Sequence, residues 1–106
     1  MITVTIHRSK DSFTGFKVIG HAGYAEEGYD IICAAVSVLV VNAVNSIETF
    51  TDDKFAARED DGIVELLLEG RVSDKTTLLL DSMILGLRDI QTQYGNEFIR
   101  LKIEEV

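Results

Sequence analysis

The sequence has no proline, no tryptophan and a single cysteine, and these scarcities narrow what the protein can be. One cysteine cannot form an internal disulfide, so the chain is not a disulfide-stapled scaffold, and we expect it to work in a reducing cytoplasm. One cysteine and two scattered histidines are too few for a structural zinc site. The glycines match neither a phosphate-binding loop nor a dinucleotide fingerprint. We therefore predict no metal and no cofactor.

Positive charge is also scarce, since 10 Lys and Arg stand against 18 Asp and Glu, for a formal net charge of -8. A surface of this sign repels phosphate backbones, so we predict no direct nucleic acid binding and expect a basic partner instead. The longest apolar run, residues 31–41, is well short of the roughly 18–20 residues that a membrane span requires, so no membrane association is predicted.

The length of 106 residues suits one compact domain spanning residues 1–106. Period-2 alternation predicts strands and helical spacing predicts two helices, in the order ββαββαβ. The predicted elements are strands at 2–7 and 16–19, a helix at about 31–50, strands at 55–59 and 63–69, a helix at about 74–94 and a strand at 99–104. In the last strand, Ile99, Leu101 and Ile103 are expected to face the core. The fold class is α+β, with a mostly antiparallel sheet packed against two helices.

Capping residues mark the ends of both predicted helices. Asp30 is predicted as the N-cap of the first helix, because a carboxylate favours the positive end of a helix. Ser73 or Asp74 is predicted to cap the second helix, and Gly95 stands just past its end.

Reactive side chains concentrate between residues 20 and 37. Cys33 is predicted in the first turn of the first helix, where unpaired N–H groups and the helix dipole stabilise a thiolate. The backbone N–H groups of Cys33 and Ala34 are candidates for an oxyanion hole. His21 ends a strand, and a return of twelve residues could bring its imidazole to the thiol. A histidine within hydrogen-bond reach of a cysteine is the working pair of a cysteine hydrolase.

Two further polar residues share a helix face with this cysteine. Positions 30, 33 and 37 are stacked, because residues three and four apart are neighbours on a helix. Asp30 is a candidate to orient His21, and Ser37 to bind a substrate carbonyl or to support the thiol. If Asp30 instead caps the N–H of Cys33, that donor is less available to an oxyanion.

Simpler interpretations remain open from the residues alone. A lone cysteine in an apolar helix is usually a packing residue, and a histidine at a strand end is usually structural. Five loop residues have two interpretations: they serve backbone turns and packing, or they contact substrate. They are Gly20, Gly23, Tyr24, Gly28 and Tyr29. From the residues alone, two interpretations therefore remain open: a cysteine enzyme and a non-catalytic acidic binding module. A redox thiol is disfavoured, because no second cysteine is present to resolve a sulfenic acid.

One segment carries a resemblance to a known family. It reads Gly20-His21-Ala22-Gly23-Tyr24-Ala25 and continues from Gly28 to Ser37 as GYDIICAAVS. This pattern of a histidine, a glycine-rich spacer and a helix start of the form D-x-x-C-A-A-x-S resembles the ribosomal-processing cysteine protease family Prp. The length and the element order resemble that family as well.

The resemblance implies a Cys/His dyad with Cys33 as nucleophile and His21 as base, and it places Asp30 and Ser37 at supporting positions. It also implies a loop between the two catalytic residues that reshapes around substrate. An apolar pocket near Cys33 is expected from Tyr24, Tyr29 and the start of the helix.

The same resemblance implies a substrate and an assembly. The expected substrate is the basic precursor of a large-subunit ribosomal protein, from which a short N-terminal extension is removed after an aromatic residue. A homodimer is expected. The net charge of -8 agrees, because it attracts a basic precursor. The alternative is a non-catalytic acidic module that binds ribosomal proteins during assembly.

Overall fold

The computed structural model describes residues 1–20, 29–60 and 62–106, with only the backbone described at positions 29 and 30. The elements in chain order are β1 (Ile2–Ser9), β2 (Ser12–Ile19), α1 (Tyr29–Phe50), β3 (Lys54–Asp60), β4 (Ile63–Glu69), α2 (Asp74–Tyr94) and β5 (Ile99–Glu105). The predicted order ββαββαβ and the α+β class are confirmed.

The five strands form one sheet in the order β3-β4-β2-β1-β5. Both predicted hairpins, β1–β2 and β3–β4, are present, and β2 also pairs with β4 in antiparallel fashion. The exception is β5, which lies parallel to β1 at the edge of the sheet. A parallel neighbour requires a long crossover, and α2 supplies it. The sheet is therefore mixed but mostly antiparallel, as expected.

The two helices pack against each other and cover one face of the sheet. The core between the layers takes alternate residues of the strands together with one stripe of each helix. Its largest fully buried side chains are Phe13, Phe16, Ile2, Ile6, Ile32, Ile47, Leu66, Leu80, Leu87 and Ile99. The helices approach closely at Gly86, where a Cβ would lie 2.9 Å from the terminal carbons of Leu39.

The first helix starts earlier than predicted, at Tyr29. Asp30 is therefore the second residue of α1, and the prediction that it is the N-cap is wrong. The second helix matches its predicted bounds. Ser73 caps it by accepting a hydrogen bond from the N–H of Thr76 at 3.2 Å, and Gly95, at φ 94°, closes it with an N–H bond to the carbonyl of Gln91.

Asp53 joins the link after α1 to the start of α2. Its Oδ2 accepts hydrogen bonds from the backbone N–H of Ser73 at 2.9 Å and from the Ser73 hydroxyl at 2.8 Å. Desolvation by burial raises the pKa of Asp53, but the hydrogen bonds from Thr76 and Ser73 outweigh it and hold this pKa below 3.8. The N-cap of α2 is thus tied to a residue twenty positions earlier.

The last strand departs from its predicted pattern at one position. Ile99 is buried and Leu101 is half-buried, but Ile103 is 50% exposed. Ile103 is in register with the buried Ile6 on β1, so it takes the predicted face of the sheet but is not covered there.

The length and composition of Ile31–Phe50 within α1 would also suit a membrane-spanning helix. A helix in the core of a globular protein has the same length and composition, and α1 buries Ile32, Val36 and Val40 against the sheet. Its outer side nevertheless carries exposed apolar residues, including Ile31 and Val38.

Candidate active site

Cys33 lies near the start of α1, as its fifth residue, and is 9% exposed. The Cα–Cβ bond of a helical residue tilts toward the N-terminus, so its thiol lies over the first turn of α1. Cys33 belongs to the buried core cluster, together with Ile32 and Val36. The predicted position of Cys33 in the helix is therefore corrected by two residues, from the third to the fifth, although the side chain still points toward the helix start.

The backbone donors predicted for the oxyanion need a matching correction. Only the first four N–H groups of an α-helix lack an intrahelical partner. Cys33 and Ala34 are the fifth and sixth residues of α1, so their N–H groups are engaged within the helix. By helix geometry, the N–H groups outside the intrahelical hydrogen bonds belong to the turn before Cys33.

Ser37 follows Cys33 by one helical turn, so the predicted stacking of these two residues is confirmed. Ser37 is half-buried and lines a small apolar recess of about 30 Å³. The other residues of this recess are Val18, Val36, Val40, Val41, Glu59 and Val64. The walls of this recess come from α1, β2, β3 and β4, whereas the side chains of Tyr24 and Tyr29, expected to form an apolar pocket near Cys33, lie outside the described residues. The strand residues carry no local pattern that links them to α1.

Several predicted site residues lie outside the described part of the chain. These are His21, Gly23, Tyr24 and Gly28, together with the side chains of Tyr29 and Asp30. Asp30 is placed by its backbone, three residues before Cys33 on the same helix.

Gly20, which directly precedes His21, is described and is held in place. Its N–H donates to the carbonyl of Gly62 at 2.9 Å, in the turn between β3 and β4. Its φ is +94°, and a Cβ there would lie 2.5 Å from the carbonyl oxygen of Met1. Only glycine fits such a position without strain. The fold therefore requires glycine at position 20, and the bond to Gly62 fixes the backbone immediately before His21.

The two elements on either side of residues 21–28 line the same recess. Val18, on β2, and Val36, on α1 and three residues after Cys33, both contribute to it. In the described ranges, no group of three or more His, Cys, Asp or Glu side chains is arranged to hold a metal ion.

Comparisons with known proteins agree over nearly the whole chain. The family model described as cysteine protease Prp matches residues 1–99. The ribosomal processing cysteine protease Prp of Bacillus subtilis is 34% identical over 101 residues, which cover 89% of this chain and 90% of that protein. The protein of the same name from Staphylococcus aureus strain Mu50 is 34% identical over 104 residues, covering 95% of this chain and 97% of its own length.

A solved structure gives the same result for the fold. The crystal structure of an essential ribosomal processing protease Prp from S. aureus, in complex with a substrate peptide, superposes with a TM-score of 0.90 at 32% identity. The superposition covers 98% of this chain and 100% of that one.

Proposed function

The chain belongs to the Prp family of cysteine proteases, and on that premise we propose that it removes a short N-terminal extension from a large-subunit ribosomal protein. Relatives in this family are named for ribosomal processing, and one is solved with a substrate peptide. A cysteine protease needs a thiol, and Cys33 is the only cysteine in the chain. We therefore assign Cys33 as the nucleophile.

We assign the base by excluding one of the two histidines. The chain has two histidines, His7 and His21. His7 follows the fully buried Ile6 on β1, and successive side chains of a strand point to opposite faces. Since Ile6 faces the helices, His7 points to the face of the sheet that α1 and α2 leave uncovered. The sheet thus separates His7 from Cys33, which leaves His21 as the base. This exclusion is the observation that carries the proposed dyad.

The proposed reaction is acyl transfer through a thioester. His21 takes the proton from the Cys33 thiol, and the thiolate attacks the carbonyl carbon of the scissile peptide bond. First-turn N–H groups of α1 stabilise the resulting oxyanion. The tetrahedral intermediate collapses as His21 gives its proton to the leaving amine. Water, deprotonated by His21, then attacks the thioester, which releases the acid and regenerates the thiol. No metal or organic cofactor takes part in this sequence.

The supporting residues follow from position on α1. Asp30 and Ser37 precede and follow Cys33 on one helix face, where Asp30 is proposed to orient His21 and Ser37 to bind near the substrate carbonyl. The recess lined by Ser37, Val36 and Val40 is apolar, and we propose that it opens to take the aromatic side chain before the cleaved bond.

We also propose a basic substrate, a cytoplasmic location and a homodimeric state. A net charge of -8 attracts a basic ribosomal protein precursor, and a single thiol suits the reducing cytoplasm. The exposed apolar side chains of α1, such as Ile31 and Val38, and of α2, such as Leu78 and Leu85, support a homodimer.

The test is cleavage of a peptide that spans the expected processing site, followed by mass analysis of the products. We expect Cys33→Ala and His21→Ala each to abolish cleavage, whereas the control His7→Ala stays close to the wild-type rate. Replacing the aromatic residue of the peptide by alanine is expected to slow cleavage by roughly 10- to 200-fold, as for lost contacts in an apolar pocket. Cleavage that survives in His21→Ala but fails in His7→Ala would reverse the assignment of the base. Binding of the precursor without any cleavage would support the non-catalytic acidic module.

A further inference from the structure

A groove runs along α1 on the side that faces β3, and it begins one helical turn beyond Cys33. β3 is an edge strand of the sheet, with β4 as its only neighbouring strand among the described residues. The small recess beside Ser37 and a second recess of about 260 Å³ share Val41, Glu59 and Val64, so they form one continuous depression. We call this depression the α1–β3 groove.

The groove has a helical wall and a strand wall. Ser37, Val41 and Asn45 form the helical wall, because residues four apart stack along a helix. Ala57, Arg58 and Glu59 of β3 form the strand wall, and the floor between the walls includes Val44 and Val64. The floor is therefore apolar, and the polar groups lie along the rims.

The dimensions suit an extended chain. Eight residues of helix separate Ser37 from Asn45, which corresponds to about 12 Å at a rise of about 1.5 Å per residue. An extended peptide advances about 3.3 Å per residue, so the groove holds roughly four residues. A peptide in this groove points along α1 toward the turn that carries Cys33. An extended peptide in the groove places every second side chain toward the apolar floor.

From these features we infer that the α1–β3 groove binds the substrate as an extended segment, and that Ala57 sets the room available to it. The occupant is an extended segment of the precursor next to the cleaved bond, with apolar side chains at alternate positions. This inference rests on the proposed function, because it assigns a binding role to a surface that leads away from Cys33.

Two neighbouring alanines provide a matched test. Ala57 lines the groove, whereas Ala56 pairs with the exposed Leu67 and points to the opposite face of the sheet. Ala57→Leu would fill the groove, and Ala56→Leu adds the same side chain to the same strand outside it. For a peptide long enough to span the groove, we expect Ala57→Leu to lower kcat/KM by roughly tenfold through KM, in the range of steric mismatch in an apolar pocket. Ala56→Leu should retain the wild-type value.

A second measurement separates binding from catalysis. In the inactive Cys33→Ala background, fluorescence anisotropy of a labelled peptide should show the same weakening for Ala57→Leu and no change for Ala56→Leu. Thermal unfolding of both variants identifies any loss caused by the fold alone.

The outcomes distinguish this inference from the proposed function. If the wild type cleaves the peptide but both leucine variants behave alike, whether unchanged or equally impaired, the groove inference is wrong and the protease assignment stands. If the wild type neither cleaves nor binds the peptide, the proposed function fails and the groove inference fails with it.

Discussion

Replacing Gly20 by alanine tests whether the anchor before His21 matters to both stability and activity. Gly20 has a φ of +94°, and an alanine Cβ would lie 2.5 Å from the carbonyl oxygen of Met1. A backbone with φ in this positive range costs an L-residue about 1–3 kcal/mol. The overlap with Met1 adds to this cost, because the obstructing atom belongs to the backbone at the start of β1 and cannot turn away.

Gly95 is a matched control for the backbone part of that cost. Its φ is also +94°, its N–H also donates to a backbone carbonyl, and a Cβ there would meet nothing within 4 Å. We expect Gly95→Ala to lower the free energy of unfolding by about 1–3 kcal/mol, which is the backbone strain alone. Gly20→Ala should cost more than this by at least about 1 kcal/mol, the usual lower end for overpacking.

The assay combines urea unfolding with peptide cleavage. Gly20→Ala should lower kcat/KM under conditions where the protein remains folded, because a shifted Gly20 moves the adjoining His21. Gly95→Ala should leave kcat/KM unchanged, since it lies at the end of α2. Equal destabilisation by both substitutions would refute the reasoning about Met1. Wild-type kcat/KM in folded Gly20→Ala would refute the link to His21.

Two further predictions concern charge. Asp53→Asn should lower the free energy of unfolding by about 1 kcal/mol at neutral pH, because it weakens the charge-assisted bonds from Ser73. Since the folded pKa of Asp53 lies below 3.8, this contribution to stability is present above pH 3.8 and is lost as the pH falls through the folded pKa. Urea titrations from pH 7 to pH 2.5 measure it. A difference in unfolding free energy between wild type and variant that stays the same over this range would contradict the prediction. For the basic precursor, kcat/KM should fall severalfold between about 0.05 and 0.3 M salt, whereas a neutral peptide should show little change. Equal salt dependence for the two substrates would remove the case for electrostatic attraction.

The parts of the fold that follow local rules were predicted well. The bounds of α2 match, because apolar residues recur at helical spacing and the caps Ser73 and Gly95 adjoin the helix in sequence. The start of α1 was misplaced, because Asp30 resembles a cap but lies inside the helix. Ile103 takes the predicted face but is exposed, because alternation indicates which face a side chain takes but not whether the strand is covered there.

For the candidate site, the reactive residues could be predicted from the sequence, whereas the residues around them are known only from the structure. The single cysteine, the stacking of Cys33 with Ser37 and the resemblance to the Prp family are all visible in residues 20–37. The position of His7 on the face of the sheet opposite the helices is not visible there, because it depends on which side of the sheet the helices pack.

The order of elements, the helical spacing and the identity of the one thiol are properties of short stretches of chain, and these can be read from the sequence. Strand order, the need for glycine at position 20 and the α1–β3 groove each arise from residues far apart in sequence. Met1 meets Gly20, and Asn45 faces Ala57 across the groove, only after the chain has folded. Such contacts carry no local signal, because they depend on how the sheet and helices are assembled.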